Sequence, residues 1–449
     1  MTTPRNRRTP FVLGTPIKEP DDFYGRQDTL AQLYRIVQDK QMVSVVGEHR
    51  CGNTSVLYQL LHPDVRARHL KPEEDAQLVW AFISAQLASE SPEAFLRRIA
   101  RVVRRSDRDV EAEYGEEIDQ AWLEAYLEGL AVRKKRLVLL IDEFEVLAHF
   151  DPLFWEWFQV LAVEYDVTVV ASTRTDLGQY RTETGTGPQF FNMFRSLYIG
   201  SFTPEEVDEY LADTAALTEF DFQKVKGEIG DLAGRFPYYI QVAAALLYTH
   251  AGSEGRLSPS ELDAVRAEFR LRTQMLFGDA WQKLPAAERE ALTWLVLAAQ
   301  PAGRDEVRFA HAMHSLERRG YVVDGHIFSS ALADYVHNLL RRIGPSTTHG
   351  AVRVGRALVE LPPKELALVH FWLDHTEQVT TIDQIALAVW PEFTREGPGI
   401  AEAAIQRTVE QLRKVIEGRK DGGEHIEGMA EGGYIFHNPR LEEVGAGGG

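Results

Sequence analysis

The stretch that decides the fold is Met42–Val46, Met-Val-Ser-Val-Val, followed directly by Gly47-Glu48-His49-Arg50-Cys51-Gly52-Asn53-Thr54-Ser55. The first five residues are mostly apolar and β-branched and predict a short buried strand, and residues 56–61 continue as a helix. Between them stand two glycines five positions apart and a hydroxyl residue. This order is typical of a phosphate-binding loop (P-loop), in which glycines let backbone N–H groups curl around phosphates at a helix N-terminus. We therefore place six residues of the loop among the nucleotide-binding residues: Gly47, Arg50, Gly52, Asn53, Thr54 and Ser55.

One position of this loop departs from the motif. Asn53 stands where the motif has a lysine, while Thr54 stands where the hydroxyl that ligates Mg²⁺ belongs. Charge-assisted hydrogen bonds contribute roughly 1.5–3 kcal/mol, against about 1 kcal/mol for neutral ones, so we expect weakened triphosphate affinity and slower hydrolysis. Arg50 or His49 could compensate in part, although neither occupies the matching position.

Two further predicted strands each end in polar residues that should lie at the same edge of a sheet. The apolar run Leu137–Ile141 ends in Asp142 and Glu143, where Asp142 would hold Mg²⁺ with Thr54, and Glu143 would polarise the attacking water. The run Val167–Ala171 ends in Ser172-Thr173-Arg174. Because ligands of open parallel sheets bind at the carboxyl ends of the strands, these groups should converge. The short apolar runs alternate with helices and predict an α/β fold, a parallel sheet with helices on both faces.

Taken together, these residues resemble the STAND branch of AAA-type P-loop NTPases over about residues 21–250. The matching segments are Phe23-Tyr24-Gly25-Arg26, the P-loop, Asp142-Glu143, Ser172-Thr173-Arg174, Phe202-Thr203-Pro204-Glu205-Glu206 and Gly234-Arg235-Phe236-Pro237. The resemblance implies ATP or ADP with Mg²⁺ as cofactors and a helical lid that transmits the nucleotide state. It also implies a base site lined by Tyr24, Gly25, Arg26 and Pro237, with Arg174 sensing the γ-phosphate.

The C-terminal block, residues 351–437, has three helical segments and a terminal hairpin. Its third helix, residues 401–417, has an apolar face, and its other side carries Arg407, Gln411 and Lys414. Leu361–Glu365, Ala388–Trp390, Leu412–Lys414 and Gly433–Phe436 resemble the winged helix-turn-helix effector domain of OmpR-type response regulators. The resemblance implies that this helix enters the major groove of DNA and that Arg407, Gln411 and Lys414 contact it.

The charge of the C-terminal block does not decide whether it binds DNA or a protein. Residues 351–440 contain 10 Lys and Arg against 14 Asp and Glu, and Ala430-Glu431 stand where the family has an arginine before the wing. Because phosphate neutralisation supplies most of the affinity for DNA, the block either binds DNA weakly or binds a protein partner.

Length and composition set the domain boundaries and the compartment. The 449 residues carry a net charge of −18, a single cysteine, Cys51, and no apolar run long enough to span a membrane, so we expect a cytoplasmic protein. The predicted parts are a basic tail (1–20), the NTPase core (21–200), a helical lid (201–255), a helical or winged-helix spacer (256–345), a winged helix-turn-helix (350–440) and a disordered tail (441–449).

The leading functional hypothesis is a signal-transduction switch in which ATP or ADP binding controls a winged-helix output, through DNA binding and transcription regulation. One alternative is a STAND-type defence or assembly protein whose winged helix binds a protein partner or a second copy of the chain. Another is a weak ATPase that uses Arg50 in place of the lysine. Hydrolysis is left open because Asn53 lacks the charge that the transition state needs.

Overall fold

The computed structural model describes most of the chain in two compact units. The described residues are 10–107, 118–180, 188–251, 257–297, 305–341, 343–345, 350–354, 357–390, 402–418, 425–429 and 432–438. The first unit comprises Met1–Thr273 with Met313–Ser329, and the second comprises Gln274–Ala312 with Ser330–Gly449. No helix in these ranges is long and apolar enough to cross a membrane.

A five-stranded parallel sheet forms the centre of the first unit. Its strands are β1 (Met42–Val46), β2 (Leu78–Ser84), β3 (Arg136–Asp142), β4 (Thr168–Thr173) and β5 (Phe194–Tyr198). Their order across the sheet is β2-β3-β4-β1-β5. Strands β1 and β4 are buried along their whole length, which explains their continuous apolar sequences, since a parallel sheet is covered on both faces. The α/β prediction is confirmed, and β1 has the predicted bounds.

The edge strand β5 had no counterpart in the sequence prediction. It pairs with β1, so that Met42 lies beside Phe194 and Val46 beside Tyr198. Its residues are half-buried or exposed, and its sequence Phe-Arg-Ser-Leu-Tyr lacks the apolar continuity of the inner strands. An edge strand forms by pairing with the free backbone N–H and C=O groups of the neighbouring strand. Backbone groups are common to nearly all residue types, so this pairing leaves little trace in the sequence.

Helices cover both faces of this sheet. They are α1 (Gln27–Gln38), α2 (Asn53–Leu61), α3 (Pro63–His69), α4 (Pro72–Asp75), α5 (Pro92–Ser106), α6 (Gln120–Val132) and α7 (Pro152–Glu164). Leu33, Val45 and Leu57 belong to the core on one face. Phe95 and Trp155 belong to the core on the other, so the aromatic run in α7 packs inside the protein.

Three helices lie in the segment predicted to be a lid, α8 (Pro204–Thr218), α9 (Lys226–Ala233) and α10 (Pro237–His250). Helix α8 begins with a capping box, in which the Thr203 hydroxyl accepts from the Glu206 N–H and the Glu206 carboxylate accepts from the Thr203 N–H. Proline occupies the first position of both α8 and α10, where its missing N–H has no consequence. These local signals explain why the sequence prediction located both helix starts.

The chain continues through three helices, a small hairpin and a fourth helix. Its elements are α11 (Pro259–Lys283), α12 (Ala286–Leu297), α13 (Asp305–Arg318), β6 (Val322–Val323), β7 (His326–Ile327) and α14 (Ser330–Arg341). Strands β6 and β7 pair antiparallel around the turn at Asp324 and Gly325, both of which have a positive φ. These elements lie in the part of the chain that is predicted to be a helical or winged-helix spacer.

The C-terminal block combines three helices with two small antiparallel sheets. The elements are β8 (Ile343–Pro345), β9 (Ala351–Val354), β10 (Ala357–Glu360), α15 (Pro363–Asp374), β11 (Val379–Thr380), α16 (Ile382–Val389), α17 (Glu402–Ile416), β12 (Ile426–Gly428) and β13 (Tyr434–Phe436). The three helices and the terminal hairpin were predicted, whereas the sheet of β8, β9 and β10 was not. Trp372 is fully buried and stacks on Phe436 at 5.4 Å between ring centroids, which ties α15 to the wing.

Several sequence predictions lie outside the described residues. They concern residues 1–9 of the basic tail, the wing position Ala430-Glu431 and the tail 441–449.

Candidate nucleotide site

A cavity opens at the carboxyl edge of the sheet, where the P-loop joins β1 to α2. Its walls are the P-loop, the ends of β3 and β4, the first turn of α10 and an N-terminal segment, residues 12–17. The Gly47 N–H donates to the Thr173 carbonyl at 3.0 Å, which holds the start of the loop against β4. The three sequence elements predicted to converge are therefore brought together at this cavity.

Glycine is required at two positions of the loop for different structural reasons. Gly52 has φ 98°, a left-handed conformation that glycine adopts without strain. At Gly47 the reason is space, since a Cβ would lie 2.3 Å from Asn53 Oδ1 and 2.8 Å from a side-chain carbon of Ile199. Both glycines therefore allow the loop to follow this tight path.

Asn53 closes this loop on itself. Its side-chain amide donates to the Gly47 carbonyl at 2.8 Å and to the Thr173 carbonyl at 3.3 Å. The amide oxygen Oδ1 is buried and has no hydrogen-bond partner among the residues that the structure describes. The side chain at the lysine position thus holds the loop to β4, a role that the sequence alone did not indicate.

The predicted magnesium ligands lie within hydrogen-bonding distance of each other. The Thr54 hydroxyl donates to the Asp142 carboxylate, at 2.9 Å to Oδ2 and 3.2 Å to Oδ1. The Ser172 hydroxyl donates to the same carboxylate at 2.5 Å and accepts from the Glu143 N–H at 3.0 Å. A hydroxyl and a carboxylate together at a phosphate loop fit Mg²⁺, which takes one or two protein oxygens and completes its shell with phosphate and water.

Arg174 lies between two carboxylates at the end of β4. Its Nη2 lies 3.9 Å from the Glu143 carboxylate, and its Nε lies 3.6 Å from the Glu145 carboxylate. Burial raises the pKa of Glu145, and the neighbouring Arg174 only partly opposes this. Glu145 also lines the cavity. Glu145 was not among the predicted site residues, although its position two residues after Glu143 was a signal that could have revealed it.

The N-terminal segment, residues 12–17, lines the cavity and is anchored at both ends. The Val12 N–H donates to the Gln241 side chain of α10 at 3.0 Å. The Ile17 N–H donates to the Ser55 hydroxyl at 2.9 Å, and Gln59 of α2 donates to the Ile17 carbonyl at 3.2 Å. Sequence patterns assigned these residues to a tail, because they contain neither helical nor strand periodicity. Their hydrogen bonds to α2 and α10 make them a wall of the cavity.

Residues 24–26, implied by the resemblance to bind the base, do not line this cavity. Arg26 is buried, its backbone N–H donates to the Glu206 carboxylate, and its guanidinium donates to the Gly200 carbonyl. Tyr24 packs edge-on against Tyr210 of α8. These residues thus join the start of α1 to the start of the lid, whereas Pro237 does line the cavity.

The second residue of the P-loop makes a distant contact. The Glu48 carboxylate accepts from Arg319 Nε at 2.5 Å and from the Tyr321 hydroxyl at 2.9 Å. The Glu48 and Arg319 side chains are only 11% and 13% exposed. Burial and the Glu48 charge both raise the pKa of Tyr321, which therefore stays a protonated donor. We call this group of three residues the Glu48 latch; it connects the P-loop to the turn between α13 and β6.

The predicted DNA-contacting residues lie together on α17. Arg407, Gln411 and Lys414 are exposed, while Val409 and Leu412 face the core of the block. The three side chains make no hydrogen bond or ion pair with other residues of the described part of the chain.

Comparisons with known proteins identify both parts of the chain. The family described as Novel STAND NTPase 1 matches residues 17–340, and the family described as Transcriptional regulatory protein, C terminal, matches residues 355–436. Both resemblances inferred from the motifs are thereby confirmed. No curated protein matches the sequence.

Several solved structures are similar to this chain at low sequence identity. A Walker-type ATPase of Pyrococcus abyssi has a TM-score of 0.50 and 13% identity, with 72% of this chain and 98% of that chain covered. The ORC2 protein of Aeropyrum pernix, in ADPNP-ADP complexes, has a TM-score of 0.46 and 17% identity, with 78% and 94% covered. Cdc6p of Pyrobaculum aerophilum has a TM-score of 0.40 and 14% identity, with 76% and 92% covered.

Proposed function

This chain belongs to the novel STAND NTPase 1 family, and on that premise we propose that it is an adenine-nucleotide-dependent switch with a DNA-binding winged-helix output. The observation that carries the nucleotide part is the Thr54–Asp142 pair beside a tight glycine loop. A hydroxyl and a carboxylate at that position would both hold an Mg²⁺ ion that binds the phosphates.

The altered loop favours binding over turnover. Asn53 carries no charge and its amide is engaged with two backbone carbonyls, so it adds nothing to the developing charge of a transition state. Arg174 lies beside Glu143 and Glu145 and would have to move to reach a γ-phosphate. A switch needs only a nucleotide that binds two conformations with different affinity, and slow hydrolysis or none suffices for that.

The Glu48 latch supplies a route from the nucleotide to the rest of the chain. Phosphates that enter the P-loop bring negative charge close to the Glu48 carboxylate and bias the loop that carries it. Arg319 and Tyr321 are hydrogen-bonded to that carboxylate and would move with it. Their segment, residues 313–329, continues directly into α14. A nucleotide-dependent shift of this turn would thus be passed along the chain toward the winged helix.

For the output we favour DNA, because the exposed face of α17 carries three polar side chains at helical spacing and the block matches a transcription-regulator family. The excess of acidic residues over residues 351–440 favours a protein partner as the second candidate. Binding that weakens as salt rises, with a slope set by the number of phosphates contacted, distinguishes DNA from a protein partner.

The nucleotide part is tested by heating the purified full-length chain and examining the soluble supernatant. Release of a compound with a 260 nm absorbance maximum, identified as ADP or ATP by chromatography, supports the proposal. If the protein carries no nucleotide and also fails to bind a fluorescent ADP analogue with Mg²⁺, the switch proposal is refuted.

The coupling is tested by measuring DNA affinity with and without saturating ADP or ATP. Typical allosteric coupling changes affinity about 5- to 150-fold. Equal affinity in all nucleotide states would leave two independent modules and contradict a switch.

A further inference from the structure

The residue at the lysine position of the P-loop cannot serve as the phosphate-binding cation. Asn53 is neutral, and its amide group is used in two hydrogen bonds to the backbone carbonyls of Gly47 and Thr173. If nucleotide phosphates bind here, the positive charge has to come from another side chain of the cavity.

Most cations near the cavity are already neutralised. Arg174 lies beside two carboxylates, those of Glu143 and Glu145, and Arg319 is bonded to Glu48. Arg50 differs from both. It lines the cavity and forms no hydrogen bond or salt bridge with any residue that the structure describes, and its Nε is buried without a partner.

The guanidinium of Arg50 is instead held by an aromatic ring of the lid. Its Cζ lies 4.8 Å from the ring centroid of Tyr238, in the first turn of α10. Tyr238 lines the same cavity. A guanidinium that stacks on a ring through its face keeps the N–H donors of its edge free for a phosphate, a geometry that lysine cannot reproduce.

The backbone at Arg50 makes glycine a suitable test substitution. Its φ is 70°, in the left-handed region that glycine adopts without strain, and the P-loop already has glycine in that region at Gly52. The conformation by itself assigns no role to the side chain, since Arg26 and Glu143, among other described residues, also have a positive φ.

From these observations we infer that Arg50 binds the phosphates of a nucleoside di- or triphosphate in place of the missing lysine, with Tyr238 as its positioning residue. Because Tyr238 belongs to the lid, the same pair makes phosphate binding depend on the lid's position. The inference rests on the proposed nucleotide site and specifies which of its residues carries the charge.

The decisive variant is Arg50→Gly in the full-length chain, assayed by titration of a fluorescent ADP analogue with Mg²⁺. Loss of charge-assisted hydrogen bonds should weaken binding about 10- to 100-fold. Without nucleotide the variant should melt at the same temperature as the wild type or higher, because glycine relieves the left-handed strain. A structural role of Arg50 would instead lower the melting temperature.

Tyr238 is tested with a matched pair of variants. Tyr238→Phe keeps the ring and should retain wild-type affinity, whereas Tyr238→Leu removes it and should weaken binding about 3- to 10-fold. In the Arg50→Gly background, Tyr238→Leu should cause no further loss, since the ring acts through the guanidinium. Full additivity would overturn the positioning role.

Arg97→Gln is the charge control, because Arg97 is exposed on α5 and outside the cavity lining. Its affinity should equal that of the wild type, and an equal loss in Arg97→Gln and Arg50→Gly would overturn the inference. If the wild type binds no analogue, the nucleotide site itself is refuted. If the wild type binds and Arg50→Gly binds within twofold of it, only the assignment to Arg50 is refuted.

Discussion

The nucleotide cavity and the exposed face of α17 arrange their polar side chains in opposite ways. In the cavity Thr54, Asp142 and Ser172 are bonded to one another, and Asp142 is only 7% exposed. On α17 Arg407 and Lys414 are exposed and unpaired within the described chain. Buried polar groups must satisfy each other before a ligand arrives, whereas surface groups are satisfied by water. Substitutions in the cavity should therefore change stability and binding together, and substitutions on α17 should change binding alone.

The largest effect is expected at the Glu48 latch. Arg319→Met leaves the Glu48 carboxylate buried without its cation and should lower the free energy of unfolding by about 3 kcal/mol, measured by chemical denaturation. The double variant Glu48→Gln/Arg319→Met should recover much of this loss, because no uncompensated charge stays behind. A single variant no less stable than the double would show that the pair contributes little.

Next in size is the magnesium pair. Asp142→Asn removes the carboxylate charge and should reduce the affinity for Mg²⁺-nucleotide about tenfold, while binding in EDTA changes little. The matched control is Thr54→Ser, which keeps the hydroxyl and should retain most of the affinity. Equal losses with and without Mg²⁺ would contradict the assignment of Asp142 as a metal ligand.

A smaller effect is expected on α17, and it should leave stability untouched. Lys414→Ala should weaken DNA binding uniformly across sequences and reduce the slope of log affinity against log salt by about 0.9, with unfolding free energy unchanged within about 0.5 kcal/mol. Glu410→Gln, on the same exposed helix, removes a negative charge and should strengthen binding. If neither variant changes DNA affinity, α17 does not contact DNA.

The smallest effect concerns the wing. Hydrogen bonds to the carboxylates of Glu377 and Glu427 raise the pKa of His437 above its ordinary value. Since the folded pKa is the higher one, this stabilisation is complete below the unfolded pKa of about 6.5 and is lost as pH rises through the folded pKa. The ring is 40% exposed, so solvent screening limits the effect to a few tenths of a kcal/mol.

The test of the wing compares melting temperatures of the wild type and His437→Gln between about pH 5.5 and pH 8. The difference between the two proteins should be larger at the lower pH. A difference that does not vary with pH would show that protonation of His437 does not stabilise the hairpin.

The sequence by itself determined the strands and helix starts whose signals are local. Strand β1, the carboxylates after β3 and the capping box at Thr203 follow from residues next to each other in the chain, because apolar continuity and capping depend on neighbours only. The P-loop family and the winged helix were recognisable for the same reason, since their motifs are short and keep a fixed order.

Only the tertiary structure decided which residues surround the cavity. Glu48 and Arg319 are 271 positions apart, and residues 12–17 have no periodicity of their own, so their place depends on hydrogen bonds to α2 and α10. Asn53 is equally instructive, because its identity predicted a lost charge, but only the carbonyls of Gly47 and Thr173 show its new partners. Long-range partners are chosen by the packing of the whole sheet, and no local pattern encodes that choice.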